Sequence, residues 1–295
     1  MRTTLEELLA AGAPVVADGG MGTMLFSLGL AQGASPELWN VEQPDRIRSV
    51  HRGYIEAGAQ IILTNSFGGN RIRLGTHGLA DRAEELNIAA ARLARAEADA
   101  APQPVVVGGS MGPTGQMLAP MGTLSFEDAV DAFAEQARAL VEGGVDVLWI
   151  ETMSDLEEVR AAHTACRQVA PETPVVATMT FDTKGRTMMG VTPERALSVL
   201  GEFGVLALGA NCGNGPDEVE AVIEKMSASS PAAPLIAKAN AGLPRMVDGV
   251  AVYDATPEVM AGYAHRVRDR GAQIIGACCG STPDHIRAIA QALKG

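Results

Sequence analysis

The chain alternates between two kinds of segment, and the alternation repeats eight times. Short apolar runs rich in Val, Ile and Leu occupy 15–19, 61–65, 105–110, 145–152, 175–181, 205–212, 235–241 and 274–279. Each has the length of a strand buried on both faces and ends in small or polar residues. Between them apolar residues recur every three or four positions, the period of an amphipathic helix. At 125–142, Phe126, Ala129, Val130, Phe133, Ala137, Leu140 and Val141 share one face. Comparable patterns fill 44–57, 81–98 and 154–169. Strand followed by helix, eight times over, predicts an α/β fold with a single (β/α)8 TIM-type barrel. A doubly wound open sheet is the runner-up architecture.

Local signals agree. Three later helices open on Thr-Pro, at 192–193, 256–257 and 282–283. A threonine N-cap supplies an acceptor to orphan amides, and proline at the next position loses nothing by lacking an N–H. A short amphipathic helix is expected within 1–12, and long loops at 22–43 and 112–124 are expected over the barrel mouth. No Pro/Ser-rich linker divides the 295 residues, so one barrel domain over 1–295 is expected, with no folate or cobalamin domain of its own.

Composition removes several classes of function. With 23 Lys and Arg against 35 Asp and Glu, the net charge is −12, and no basic cluster stands out. No nucleic-acid partner is therefore expected. No apolar run approaches the roughly 20 residues that a bilayer requires, and the N-terminus lacks a signal core, so no membrane partner is expected. Four cysteines (Cys166, Cys212, Cys278 and Cys279) are too few for a disulfide scaffold in a chain this long. A reducing, cytoplasmic location is the expectation, and the oligomeric state is left open.

Barrels of this kind carry their chemistry at the C-terminal ends of the strands. Those ends hold Asp18, Asn65, Ser110, Glu151, Thr180, Asn211 with Cys212, Asn240, and Cys278 with Cys279. Cys212 ends the sixth strand and the adjacent pair ends the eighth, so the three thiols converge across one intervening strand. Three thiolates with an open fourth position suit a catalytic zinc. Three plain buried thiols are the competing reading. Cys166 falls on a helix face and is read as core. Asp18 and Glu151 serve equally as an acid–base pair, as ligands for an ammonium group, or as caps. Gly19 and its neighbours Gly20 and Gly22 let backbone approach a ligand, without forming a dinucleotide fingerprint. The histidines, at 51, 77, 163, 265 and 285, lie away from strand ends and form no HExxH motif. Lys238, inside the seventh strand, admits a Schiff-base reading.

Taken together, several motifs resemble the homocysteine S-methyltransferase family. They are Asp-Gly-Gly-Met-Gly-Thr at 18–23, Thr-Asn-Ser-Phe-Gly-Gly-Asn at 64–70, Gly-Pro-Thr-Gly at 112–115 and Glu-Thr-Met-Ser-Asp at 151–155. Further along come Gly-Ala-Asn-Cys-Gly at 209–213, Ala-Asn-Ala-Gly-Leu-Pro at 239–244 and Gly-Ala-Cys-Cys-Gly at 276–280. That family includes betaine–homocysteine methyltransferases and the homocysteine-binding module of cobalamin-dependent methionine synthase. The resemblance implies Zn²⁺ held by Cys212, Cys278 and Cys279. It also implies that Asp18 and Glu151 bind the amino end of homocysteine, which displaces the acid–base reading. The implied enzyme is a zinc-dependent methyltransferase that moves a methyl group from a small donor to the homocysteine thiolate and yields methionine.

Betaine is the favoured donor on this reading. Its quaternary ammonium suits an aromatic face, and Trp39 in the first long loop is the expected contact, with Phe67 and Phe181 assisting. Against it, Thr152 follows Glu151 where some animal betaine enzymes carry an aromatic residue. The alternatives are a separate corrinoid protein docking at the barrel mouth, as in a split methionine synthase, and S-methylmethionine or S-adenosylmethionine.

Overall fold

The computed structural model describes residues 2–243, 245–247 and 250–294, with backbone alone for Val250 and Ala251. Pro244, the last residue of the 239–244 motif, lies outside the described residues, as do both ends of the expected 1–295 domain.

All eight apolar runs form strands: β1 (Val15–Val16), β2 (Ile61–Leu63), β3 (Val106–Met111), β4 (Val147–Met153), β5 (Val175–Met179), β6 (Ala207–Cys212) and β7 (Leu235–Ala239). A hairpin of β8 (Arg245–Val247) and β9 (Val250–Val252) precedes the eighth, β10 (Ala272–Ala277). The parallel order is β1-β10-β7-β6-β5-β4-β3-β2. The ring closes because β1 also meets β2: Asp18 N–H donates to Ile61 O at 3.0 Å and Gln60 N–H to Val16 O at 2.7 Å. That closure decides for the barrel against the open sheet.

Alternate residues of the strands point inward. Val15, Ala17, Ile61, Leu63, Val106, Val147, Trp149, Val176, Ala207, Ile236 and Ile274 pack with one another inside the ring, with Leu5 of the helix Leu5–Ala10 among them. Gly108 makes room for this packing, since a Cβ there would stand 2.6 Å from Leu63 and 3.3 Å from Trp149. The opposite parity faces the outer helices in a larger second core. Extending the inward parity toward the C-terminal ends brings Ser110, Glu151, Asn211 and Lys238 into the barrel mouth. All four are buried.

Several local expectations change. The stretch 22–43 is no continuous loop: it folds into the helices Met21–Ser27 and Trp39–Glu42 with a 3₁₀ turn at Pro36–Leu38. Leu25 supplies the buried anchor of the first of these. The hairpin was unforeseen, although Asp-Gly at 248–249 is a sequence signal for one; those two residues lie outside the described ones. Thr192 and Thr256 cap their helices as expected. The Thr282 hydroxyl instead pairs with His285 Nδ1 at 2.9 Å. Among the described residues, no helix is long and apolar enough to cross a membrane.

Candidate metal and substrate site

The three sulfurs of Cys212, Cys278 and Cys279 lie within 4.8 Å of one another at the C-terminal ends of β6 and β10. The Cys212 and Cys278 Sγ atoms are 2.8 Å apart. A tetrahedral ion with metal–sulfur bonds of about 2.3 Å separates its ligands by about 3.8 Å, so the cluster has the right scale for one. Three soft donors with room for a fourth also match the chemistry of zinc. Without a cation the thiols resist ionising together. Hydrogen bonding to Cys278 and Cys279, then burial, holds the Cys212 thiol well above its usual value. Thiol donors from Cys212 and Cys278 draw Cys279 down. Cys166 stands apart, fully buried, with its thiol pushed up to about 12 by burial.

These thiols share one cavity of about 380 Å³ with Asp18, Gly19, Asn65, Ser110, Glu151, Thr152 and Lys238. Asp18 is 2% exposed. Its Oδ1 takes an ion pair from Lys238 Nζ at 2.7 Å, and its Oδ2 accepts from Leu63 N–H at 2.7 Å. Burial raises the Asp18 carboxyl, while the Lys238 charge works against the rise. Burial alone would lower Lys238, but Asp18 and Glu151 outweigh it and raise its value. The Lys238 ammonium also sits 5.8 Å from the Trp149 ring centroid. A buried cation ion-paired in this way acts as the charge partner of Asp18, which weakens the motive for the Schiff-base reading. Ser110 donates to Glu151 Oε1. Burial is the main reason the Glu151 carboxyl rises to about 7.

Other strand-end residues support the cavity from behind. Asn240 accepts from Cys279 N–H at 3.0 Å and donates to Gly213 O at 2.6 Å. Thr180 donates to the carbonyl of Asn211 at 2.9 Å. Gly19 is close-packed: a Cβ there would press on Ser281 and on the Tyr54 ring. Two of the expected aromatics stand apart from this lining. Trp39 is not among the residues that line the cavity, and its ring carries the Arg46 guanidinium at 4.9 Å. Phe181 is buried in the outer core. Phe67 does line the cavity, joined by Phe26, Arg73 and His77, which the sequence pattern did not place there. His77 follows a helix rather than a strand, so a search of strand ends misses it. Lys238 was detectable as the lone charge in an apolar strand.

The profile of the family described as homocysteine S-methyltransferase matches residues 15–293. The methionine synthase of Mycobacterium leprae (strain TN) is 34% identical over 306 residues, covering 99% of this chain and 25% of that protein. The methionine synthase of Mycobacterium tuberculosis (strain ATCC 25618 / H37Rv) is 34% identical over 294 residues, covering 95% and 24%. The chain thus spans about a quarter of the length of these curated relatives. Among solved structures, the metallated homocysteine methyltransferase MmuM from Escherichia coli superposes with a TM-score of 0.82 at 25% identity, over 97% of this chain and 99% of that one. A methyltransferase from Methanosarcina mazei shares the fold at 13% identity, with a TM-score of 0.61 over 99% of both chains. With the profile matched along nearly the whole barrel, the chain belongs to the homocysteine S-methyltransferase family.

Proposed function

We propose that this barrel methylates homocysteine to methionine, with Cys212, Cys278 and Cys279 as ligands of a zinc ion. The observation that carries the reading is the convergence of the three sulfurs in the same cavity as two buried acids. Zinc bound there supplies the Lewis acidity that keeps a substrate thiol deprotonated near neutral pH. The chain's own groups do the rest. Three thiolates exceed a divalent charge by one, which preserves electron density at an incoming sulfur. Asp18 and Glu151 receive the substrate ammonium by charge-assisted hydrogen bonds. Glu151 is the freer of the two, since Ser110 engages its Oε1 and no described residue donates to Oε2. Lys238 keeps Asp18 charged and fixed. Gly19 keeps the backbone beside Asp18 close to the packed Tyr54 and Ser281. Methyl transfer is an in-line displacement, so the protein's task is to place sulfur and methyl group in contact.

Two donors fit different observations. Phe26 and Phe67 on the cavity wall suit a small onium donor such as betaine, S-methylmethionine or S-adenosylmethionine. The 34% identity to methionine synthases, of which this chain spans a quarter, suits a methyl group carried by a separate corrinoid protein. With Trp39 off the cavity wall, the corrinoid reading takes precedence over betaine. Purified chain loaded with zinc is assayed for methionine from homocysteine, with each donor singly and with a methylated corrinoid protein. Methionine formed from betaine alone reverses the order. Absence of methionine with every donor, despite bound zinc, rejects the transferase reading for the isolated chain.

A further inference from the structure

Behind the sulfurs lies a hydrogen-bond hub that the proposed chemistry has not yet used. Asn211 is 1% exposed and immediately precedes Cys212 on β6. Its Oδ1 accepts from the backbone N–H of Thr152 at 2.8 Å and from the Thr178 hydroxyl at 2.7 Å. A backbone N–H is a donor only, so its partner must be the amide oxygen. That fixes which way the side chain is turned. The amide nitrogen therefore faces the Thr152 hydroxyl at 2.6 Å, the Cys212 sulfur at 3.6 Å and the Cys278 sulfur at 4.0 Å. One N–H is committed to Thr152 and the other is shared by the two sulfurs. The Thr152 hydroxyl, which accepts from Asn211, also lies 3.9 Å from Cys212 Sγ, a contact in which either atom can be the donor.

The backbone supplies an independent observation. Thr152 and Cys212 adopt φ of 62° and 60°, the left-handed region that side chains rarely visit. For a β-branched threonine this conformation costs free energy and persists only where surrounding contacts over-determine it. Asn211 is bonded to Thr152 through both its amide oxygen and its nitrogen, and it adjoins Cys212 in the chain. One side chain thus links the two strained residues and contacts two of the three sulfurs.

We propose that Asn211 is a positioning residue of the three-sulfur site, donating N–H to the Cys212 and Cys278 sulfurs and holding the Thr152 and Cys212 turns that aim them. The inference rests on the metal reading above and adds an asymmetry to it: Cys279 lies outside the reach of this amide. Outer partners of metal ligands change affinity by about 10- to 100-fold when removed. Asn211→Leu, which lacks every polar contact, is expected to weaken zinc binding by about that factor in competition with a chromophoric chelator. Asn211→Asp keeps both acceptor contacts and the shape but loses the donors, so it separates a structural role from donation to sulfur. In cobalt-substituted protein both variants are expected to shift the sulfur-to-metal charge-transfer bands, and Thr152→Val to shift them less. Folded Asn211→Asp with the wild-type zinc affinity and an unchanged cobalt spectrum overturns the proposal, even if Asn211→Leu fails to fold. A wild-type chain that takes up no zinc fails at the earlier step and sinks the metal reading itself.

Discussion

Replacing Lys238 by Met removes a buried cation while keeping most of its stem volume, and the consequence can be worked out. The lost attraction to Asp18 at 2.7 Å is about 6 kcal/mol at an effective dielectric of about 20. Asp18 has a cheaper escape, which is to take up a proton. Protonating a carboxyl costs about 1.4 kcal/mol for each pH unit above its ordinary value of 3.8. The neutral acid is thus reached for about 4 kcal/mol at pH 7 and about 2 kcal/mol at pH 5. Protonation wins over the bare charge, so these figures cap the penalty. Breaking one side of a buried pair typically costs about 3–5 kcal/mol, so a loss of about 3–4 kcal/mol is expected at pH 7. The sign follows from linkage: in the variant the folded state binds a proton that the unfolded state releases, so stability falls as pH rises. Urea unfolding of the metal-free protein at pH 5, 6 and 7 measures the effect. The Asp18→Asn/Lys238→Met double variant, an uncharged pair, is expected to recover at least half of the loss at pH 7. A Lys238→Met penalty below about 1 kcal/mol, or one that stays constant from pH 5 to 7, refutes the reasoning.

Four other outcomes are expected. Cys212→Ala, Cys278→Ala and Cys279→Ala should each fall below one zinc per chain by metal analysis; full zinc content in all three would reject the site. Asp18→Asn should weaken homocysteine binding, read by calorimetry, without lowering zinc content. Burial lifts the folded-state Glu151 carboxyl from 4.5 to about 7, so its contribution is complete below pH 4.5 and is lost as pH rises through 7. Relative to Glu151→Gln, the metal-free wild type should therefore lose about 3 kcal/mol of stability between those limits, by urea titration. Gly209→Ala would drive a Cβ into the Ile236 carbonyl on the neighbouring strand, and should cost about 3 kcal/mol or more by thermal unfolding.

The barrel was legible because a buried parallel strand has a simple signature, an unbroken apolar run with a polar end. Val15, Ile61 and Ile274 needed nothing more to be placed. The cysteines were legible for a related reason, since strand order alone brings β6 within one neighbour of β10. What stayed hidden depends on side-chain direction. Lys238 and Asp18 are 220 positions apart, and only the inward parity of Ile236 and Lys238 shows that they meet. Loop position alone drew attention to Trp39, and it could not show that Arg46, seven positions on, lies over its ring. Asn211 looked like one polar strand end among many, because its meaning lies in contacts with Thr152 and Thr178 on other strands.

The placement of the three sulfurs also sets a timetable for the chain as it is made. Cys212 emerges 66 positions before Cys278, and the strand that delivers Cys278 and Cys279 is the one that pairs with β1. A nascent chain that has extruded seven barrel strands holds one ligand, with both β1 and β7 unpaired on the side that β10 will fill. Any metal that needs all three sulfurs would therefore wait for the same late event that shuts the ring. A chain stalled or cut before β10 lacks both the closed ring and the three-sulfur cluster.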